Sequence, residues 1–184
     1  MFTQNTDTLH LESGLSEDVL IHAHGTTGKA HCAVCKAYDS FSELNKALVK
    51  GEVRYCKPCS QQGKQSPIKP SVVFFGESLP EEFKLQAQKK ALENVDLLLI
   101  MGTTLKVQPF SHISKLVPQH APQVLINRSN EDVASGDTYT ESGDHGRLFL
   151  KGDCDDVVKR IVEAAEWEED LLEILPQRHS DFVK

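Results

Sequence analysis

The sequence predicts an α/β protein: a parallel sheet with helices on both faces, plus a small metal-organised module. Three observations carry this. Short, nearly continuous apolar runs at 71–75, 95–101, 123–127 and 147–150 are bounded by Gly or polar turns, the pattern of strands buried on both faces. Segments of helical composition alternate with them, as crossover connections require. Residues 31–66 break the pattern, with few long apolar runs and two Cys-x-x-Cys pairs.

The elements follow in order. Asp18-Val19-Leu20-Ile21 is a short apolar run leading into His22-Ala23-His24-Gly25. After the cysteine-rich segment, Pro67 and Pro70 act as punctuation, and 71–75 reads as a buried strand stopped by Gly76. Residues 80–94 are rich in Glu, Lys, Gln, Ala and Leu, with Pro80 at a helix start. Residues 95–101 give the strongest strand signal, closed by Gly102-Thr103-Thr104. Residues 109–117 read as a helix opening at Pro109, and 123–127 as the next strand. Residues 128–146 are polar and rich in Gly, Ser and Asp, predicting a mobile surface loop. A last short strand at 147–150 precedes a helix over 155–165, where Val157, Val158, Ile161, Val162 and Ala165 recur at helical spacing. Another short helix follows Trp167.

Composition narrows the function. A net charge of −7, with no basic stripe, argues against a nucleic-acid partner, while an acidic surface attracts basic, lysine-rich peptides. No run approaches the ~18 apolar residues of a membrane span, and MFTQNTDTLH lacks the basic start and apolar stretch of a secretory signal. The reading is an intracellular protein, cytoplasmic or nuclear, with no membrane partner. Thiols stay reduced there, so paired cysteines favour a metal over disulfides.

Cys32-x-x-Cys35 and Cys56-x-x-Cys59 are separated by twenty residues, a zinc-ribbon spacing. Each tight bend turns two sulfurs to one side, and two bends complete a tetrahedron with Zn–S near ~2.3 Å. Four thiolates leave no open position for water, so the Zn2+ is structural. Two disulfides, unrelated buried cysteines and a thioredoxin-type redox pair are the weaker readings. His24 can serve as a general base near neutral pH, and His22 competes with it on local grounds. Gly102, Thr103 and Thr104, and Asn127, end strands where α/β sheets bind ligands.

The order of motifs is the more specific signal: Thr3-Gln4-Asn5-Thr6-Asp7, Ala23-His24-Gly25-Thr26, the cysteine pairs, Lys69-Pro70-Ser71-Val72-Val73-Phe74-Phe75-Gly76-Glu77, Met101-Gly102-Thr103-Thr104, Ile126-Asn127-Arg128, and Gly152-Asp153-Cys154-Asp155. The series closely resembles the sirtuin family, over what corresponds to its C-terminal two-thirds. The resemblance implies a partial Rossmann-like sheet formed by residues 1–30 and 67–184, with a zinc module at 31–66. It implies an NAD-dependent protein-lysine deacetylase in which His24, and not His22, is the base. Gln4, Asn5, Thr6 and Asp7 would line the nicotinamide-ribose pocket. Gly102, Thr103 and Thr104 would lie against the cofactor, Asn127, Arg128 and Ser129 near the adenosine ribose, and Cys154 beside the adenine. Val73, Phe74, Phe75, Gly76 and Glu77 would pair with an extended acyl-lysine peptide by strand addition; by alternation only one of the two aromatics would face the substrate.

The implied reaction starts with attack of the acyl oxygen on C1′ of the nicotinamide ribose, and nicotinamide leaves. His24 then takes a proton from a ribose hydroxyl, which attacks the resulting imidate, and water completes the reaction, giving free lysine and O-acyl-ADP-ribose. The family's N-terminal Gly-Ala-Gly-Ser turn, which holds the pyrophosphate, has no counterpart in the sequence. The expectation is therefore a truncated product or incomplete gene model that binds NAD poorly, with a catalytically inactive, zinc-containing peptide-binding fragment as the alternative. Two smaller departures are Thr6, where Ile is usual, and Thr27, where Phe is common.

Overall fold

The computed structural model describes residues 1–80, 83, 85–130, 133 and 138–174. The chain divides into two compact units, Met1–Lys84 and Leu85–Lys184.

In the first unit, β1 (Phe2–Thr3) pairs in parallel with β2 (Ile21–His22), with Thr3 opposite His22. Helix α1 (Leu9–Glu12) and a 3-10 turn at Glu17–Val19, capped by Ser16, connect them. The long strand β3 (Gly25–Cys32) then forms the centre of an antiparallel sheet, flanked by β4 (Tyr38–Asp39) and β5 (Ile68–Val72). Helix α2 (Phe41–Val49) starts where the Ser40 hydroxyl accepts from the Glu43 amide, satisfying one of the donors a helix start leaves open. The short α3 (Lys57–Ser60) carries Pro58 in its first turn, where a missing N–H costs nothing. Ala30, Cys32, Leu44, Cys56, Cys59 and Ile68 form the core, with Ala37 and Phe41 against it.

The strand read at 71–75 is corrected. It runs over Ile68–Val72 and pairs antiparallel with β3, not with the parallel sheet. Pro70 lies inside it, opposite Ala30, beside a register shift between Thr26 and Ala30. Proline is tolerated there because β5 is an edge strand next to a bulge. Phe74 and Phe75 lie beyond the strand and are exposed.

In the second unit, α4 (Leu85–Leu92) precedes β6 (Leu98–Met101). Strands β6, β7 (Gln123–Asn127) and β8 (Arg147–Lys151) pair in parallel in that order. Helices α5 (Cys154–Ala164) and α6 (Glu168–Ile174) follow. Leu125 and Ile126 point to opposite faces of the central strand and are both fully buried, so β7 is covered on both sides. Ile100, Leu105, Leu125, Tyr139 and Phe149 make one core cluster. The start expected for the 80–94 helix falls partly outside the described residues, at 81, 82 and 84.

Three expectations change here. The strand at 95–101 is shorter, and Leu99 and Met101 are about half exposed on the edge strand β6. The helix expected at 109–117 is a 3-10 segment, Phe110–Lys115. There the Ser114 hydroxyl donates to the Ser111 carbonyl, a local bond that competes with α-helical pairing. The polar stretch 128–146 is not all surface: Tyr139 is buried, and its hydroxyl donates to Gln123 Oε1 at 2.8 Å. A buried phenol needs such a partner.

Candidate active site and metal centre

The four cysteines come together as their spacing requires. Their sulfurs all lie within 4.8 Å of one another. Cys32 Sγ is 3.8 Å from Cys59 Sγ, and Cys35 Sγ is 3.6 Å from Cys56 Sγ. None forms a disulfide. A tetrahedral ion with metal–sulfur bonds of about 2.3 Å demands sulfur–sulfur edges of about 3.8 Å, so the set fits a metal ion. The amides of Val34 and Cys35 donate to Cys32 Sγ. Burial pushes the Cys32 thiol up, but these amide donors and the adjoining thiols bring it down to about 6. The Cys59 amide pulls Cys56 down, yet burial and the neighbouring sulfurs outweigh it, and Cys56 is pushed up to about 12. Such crowding opposes ionising all four sulfurs, and a bound cation removes that opposition. Arg54 and Asp39 clip the halves of the centre together: Nε and Nη2 each donate to a different Asp39 oxygen at 2.9 Å.

Around His24 the backbone leaves little freedom. The Ala23 amide donates to the Thr3 carbonyl at 2.9 Å, and the Val73 amide donates to the His24 carbonyl at 2.9 Å. Gly25 has φ +73°, and a Cβ there would lie 2.0 Å from the Ser71 carbonyl oxygen. Only glycine permits that approach. The segment Gln4 to Asp7 is held from two sides. The Asn5 amide donates to Thr3 Oγ1 at 3.1 Å. The Thr27 amide and hydroxyl both donate to the Thr6 carbonyl, at 2.8 and 2.7 Å. The two positions that depart from the family pattern therefore touch each other. His22 differs from His24: its ring lies 4.6 Å from that of His10, and its Nδ1 is buried with no hydrogen-bond partner. Burial first, and His10 second, lower its basicity.

In the second unit, the carboxyl ends of β6, β7 and β8 open a crevice of about 600 Å³. It is lined by Gly102, Asn127, Arg128, Cys154, Gly152 and the acidic residues Asp153, Asp155 and Asp156. Asn127 Nδ2 donates to the Thr103 carbonyl at 3.3 Å, and Asn127 Oδ1 accepts from the Arg128 amide at 2.9 Å. Thr104 and Ser129 are exposed and do not line the crevice. The Arg128 guanidinium donates to Asp153, which raises its already high pKa further. With that cation neutralised and carboxylates at the rim, the donor set suits sugar hydroxyls better than phosphate.

Residues 1–109 match the Sir2 family model. The chain belongs to the Sir2 family. It is 37% identical over 171 residues to NAD-dependent protein deacetylase hst2-2 of Emericella nidulans, covering 93% of this chain and 45% of that protein. It is 34% identical over 175 residues to NAD-dependent protein deacetylase sirtuin-3 of Mus musculus, covering 95% and 49%. For NAD-dependent histone deacetylase SIR2 of Candida albicans the identity is 35% over 186 residues, covering 98% and 32%. The chain thus spans less than half the length of each of these relatives.

Sequence reasoning assigned no role to Asp153 or Lys69, though both stand in Sir2-family motifs of this chain. Asp153 is legible only through its contact with Arg128, which lies twenty-five residues away. Lys69 is legible only through its burial. Among the described residues, no helix is long and apolar enough to cross a membrane.

Proposed function

We propose that this chain belongs to an NAD-dependent protein-lysine deacylase, acting on acetylated or otherwise acylated lysine in histone-like or other proteins, with His24 as its general base. The observation that carries the reading is the hydrogen bond from the Val73 amide to the His24 carbonyl. It makes the base and the start of the peptide-contacting segment backbone neighbours. An extended peptide adds beside 73–77 through main-chain hydrogen bonds, which give affinity with little sequence demand. Phe75, fully exposed beyond the strand, is the aromatic open to substrate.

The four cysteines hold one structural Zn2+, closed to water. Gln4, Asn5, Thr6 and Asp7 serve the nicotinamide side of NAD. Gly102, Thr103, Thr104, Asn127, Arg128, Ser129 and Cys154 serve its adenosine side, where the crevice offers Asn127 to sugar hydroxyls. Bound NAD supplies an activated glycosidic carbon and a leaving group. His24 accepts the proton of the attacking hydroxyl, and the fixed Thr3 and Val73 contacts hold its backbone still while it does so. Reduced cysteines fit an intracellular setting, cytoplasmic or nuclear.

The test is NAD-dependent deacetylation of an acetyl-lysine peptide by wild type and His24→Ala. We expect the variant to lose about 10²–10⁴-fold in turnover with unchanged metal content and circular dichroism. Wild-type turnover in the variant would remove the assignment. Peptide binding by the wild type without any turnover would favour the non-catalytic, peptide-binding reading.

A further inference from the structure

The turn that follows β5 lacks the usual means of holding a shape. Phe74 is half exposed and Phe75 fully so, so apolar burial holds Phe74 only in part and Phe75 not at all. Gly76 has φ +86° and open space around it. One backbone bond, from the Glu77 amide to the Phe74 carbonyl at 2.9 Å, closes the turn.

Beneath it lies an ammonium group in an unusual place. Lys69 is 8% exposed, and lysine is rarely so buried unless paired. Its Nζ donates to the Val72 carbonyl at 2.6 Å, to Glu77 Oε2 at 2.9 Å and, more weakly, to the Pro70 carbonyl at 3.4 Å. These three acceptors match the three protons of an ammonium. Nζ also sits 4.1 Å from the centroid of the Phe74 ring, within cation–π range. Glu77 Oε2 in turn accepts from the Phe74 amide at 2.8 Å. That amide, and the Lys69 ammonium second, hold the Glu77 carboxyl below its usual range. Across the sheet, Lys69 faces His31 in register.

We propose that Lys69 is the positioning residue that fixes the turn at 73–77, binding its backbone, its carboxylate and one aromatic face around a single buried ammonium. The inference deepens the reading of that turn as the peptide contact, and its functional consequence rests on that reading. Glu77 Oε2 and the Phe74 amide are both committed to this latch, so neither that oxygen nor that N–H is free to bond a peptide. Recognition at this edge then comes from the backbone of the fixed turn and the exposed Phe75.

Amide hydrogen exchange on the full chain tests the latch directly. Lys69→Met is expected to speed exchange at Phe74 and Glu77 by about tenfold or more, the worth of lost charge-assisted bonds. Exchange at Ala30 and Cys32 in β3 should stay unchanged, and Lys69→Arg should restore part of the protection. Where Lys69→Met does not fold, Lys69→Gln, which removes the charge and keeps the Glu77 acceptor of the Phe74 amide, decides the question by the same readout. Unchanged exchange at Phe74 in a folded variant would overturn the proposal. Titration with an acetyl-lysine peptide separates the two claims. Tenfold weaker binding by Lys69→Met supports both. A wild type that binds no peptide, while the variant still loosens the turn, removes the peptide reading and leaves the latch standing.

Discussion

Met1–Lys84 closes its core around six buried residues, three of them cysteines, whereas Leu85–Lys184 buries a cluster of aliphatic and aromatic side chains. Among the buried members of that cluster Ala30, Leu44 and Ile68 are the aliphatic ones, while Leu20, Ala23 and Phe83 are buried elsewhere in the unit. Below a certain size a core needs a staple, and the four sulfurs supply one when they hold the proposed Zn2+. The second unit has a central strand covered on both faces. With the proposed Zn2+ bound, the first unit places its stability in metal–thiolate bonds and the second in burial and close packing.

Removing the metal should separate them most sharply. Structural zinc contributes about 10–16 kcal/mol in small zinc domains. Chelation should therefore erase amide protection in β3, β4 and β5 while β6, β7 and β8 keep theirs. Protection of β3 that survives verified metal loss would contradict the comparison. The converse is Leu125→Ala, at a fully buried position of β7. It should cost about 2–5 kcal/mol, seen as earlier urea unfolding of the parallel sheet, with metal content unchanged.

The smallest effect is electrostatic and lies in the metal-bearing unit. The paired Arg54 guanidinium holds the Asp39 carboxyl below its usual range. A depressed folded pKa stabilises at pH values above the unfolded value of about 3.9, and the gain is lost as pH falls from there through the folded pKa. Asp39→Asn should therefore destabilise by about 1 kcal/mol at pH 7 and by progressively less as pH drops below about 4. An equal penalty at both pH values would assign Asp39 a packing role instead.

How much was readable in advance differs between the regions for the same reason. In the second unit, apolar runs and helical periodicity are local signals. The strand at 123–127 coincides with β7, and the helices after Asp153 and Trp167 stand where the spacing puts them. Tyr139 escaped because a lone aromatic in a polar run carries no period; its burial depends on Gln123, sixteen residues away. In the first unit the cysteine spacing was fully legible, but the strands around it were not. β3 reads Gly-Thr-Thr-Gly-Lys-Ala-His-Cys, where the short alternation of Ala30 and Cys32 is too little to announce it, and β5 carries a proline inside it and another just before it. Of the candidate site, Gly102, Asn127, Arg128 and Cys154 do line one crevice, whereas Thr103, Thr104 and Ser129 are not part of its lining.

By itself the sequence determined the four cysteines that cluster, the apolar strands of the parallel sheet and the ordered motifs that mark the Sir2 family. Each of these is written in spacing along the chain, where covalent geometry and side-chain periodicity act locally. Only the tertiary structure decided that Ile68–Val72 joins β3 antiparallel, that Gly25 must meet the Ser71 carbonyl, and that Lys69 spends its charge beneath the turn at 73–77. Those outcomes depend on which distant groups arrive within hydrogen-bond reach. That choice is made by the packing of the whole unit and not by any stretch of its sequence.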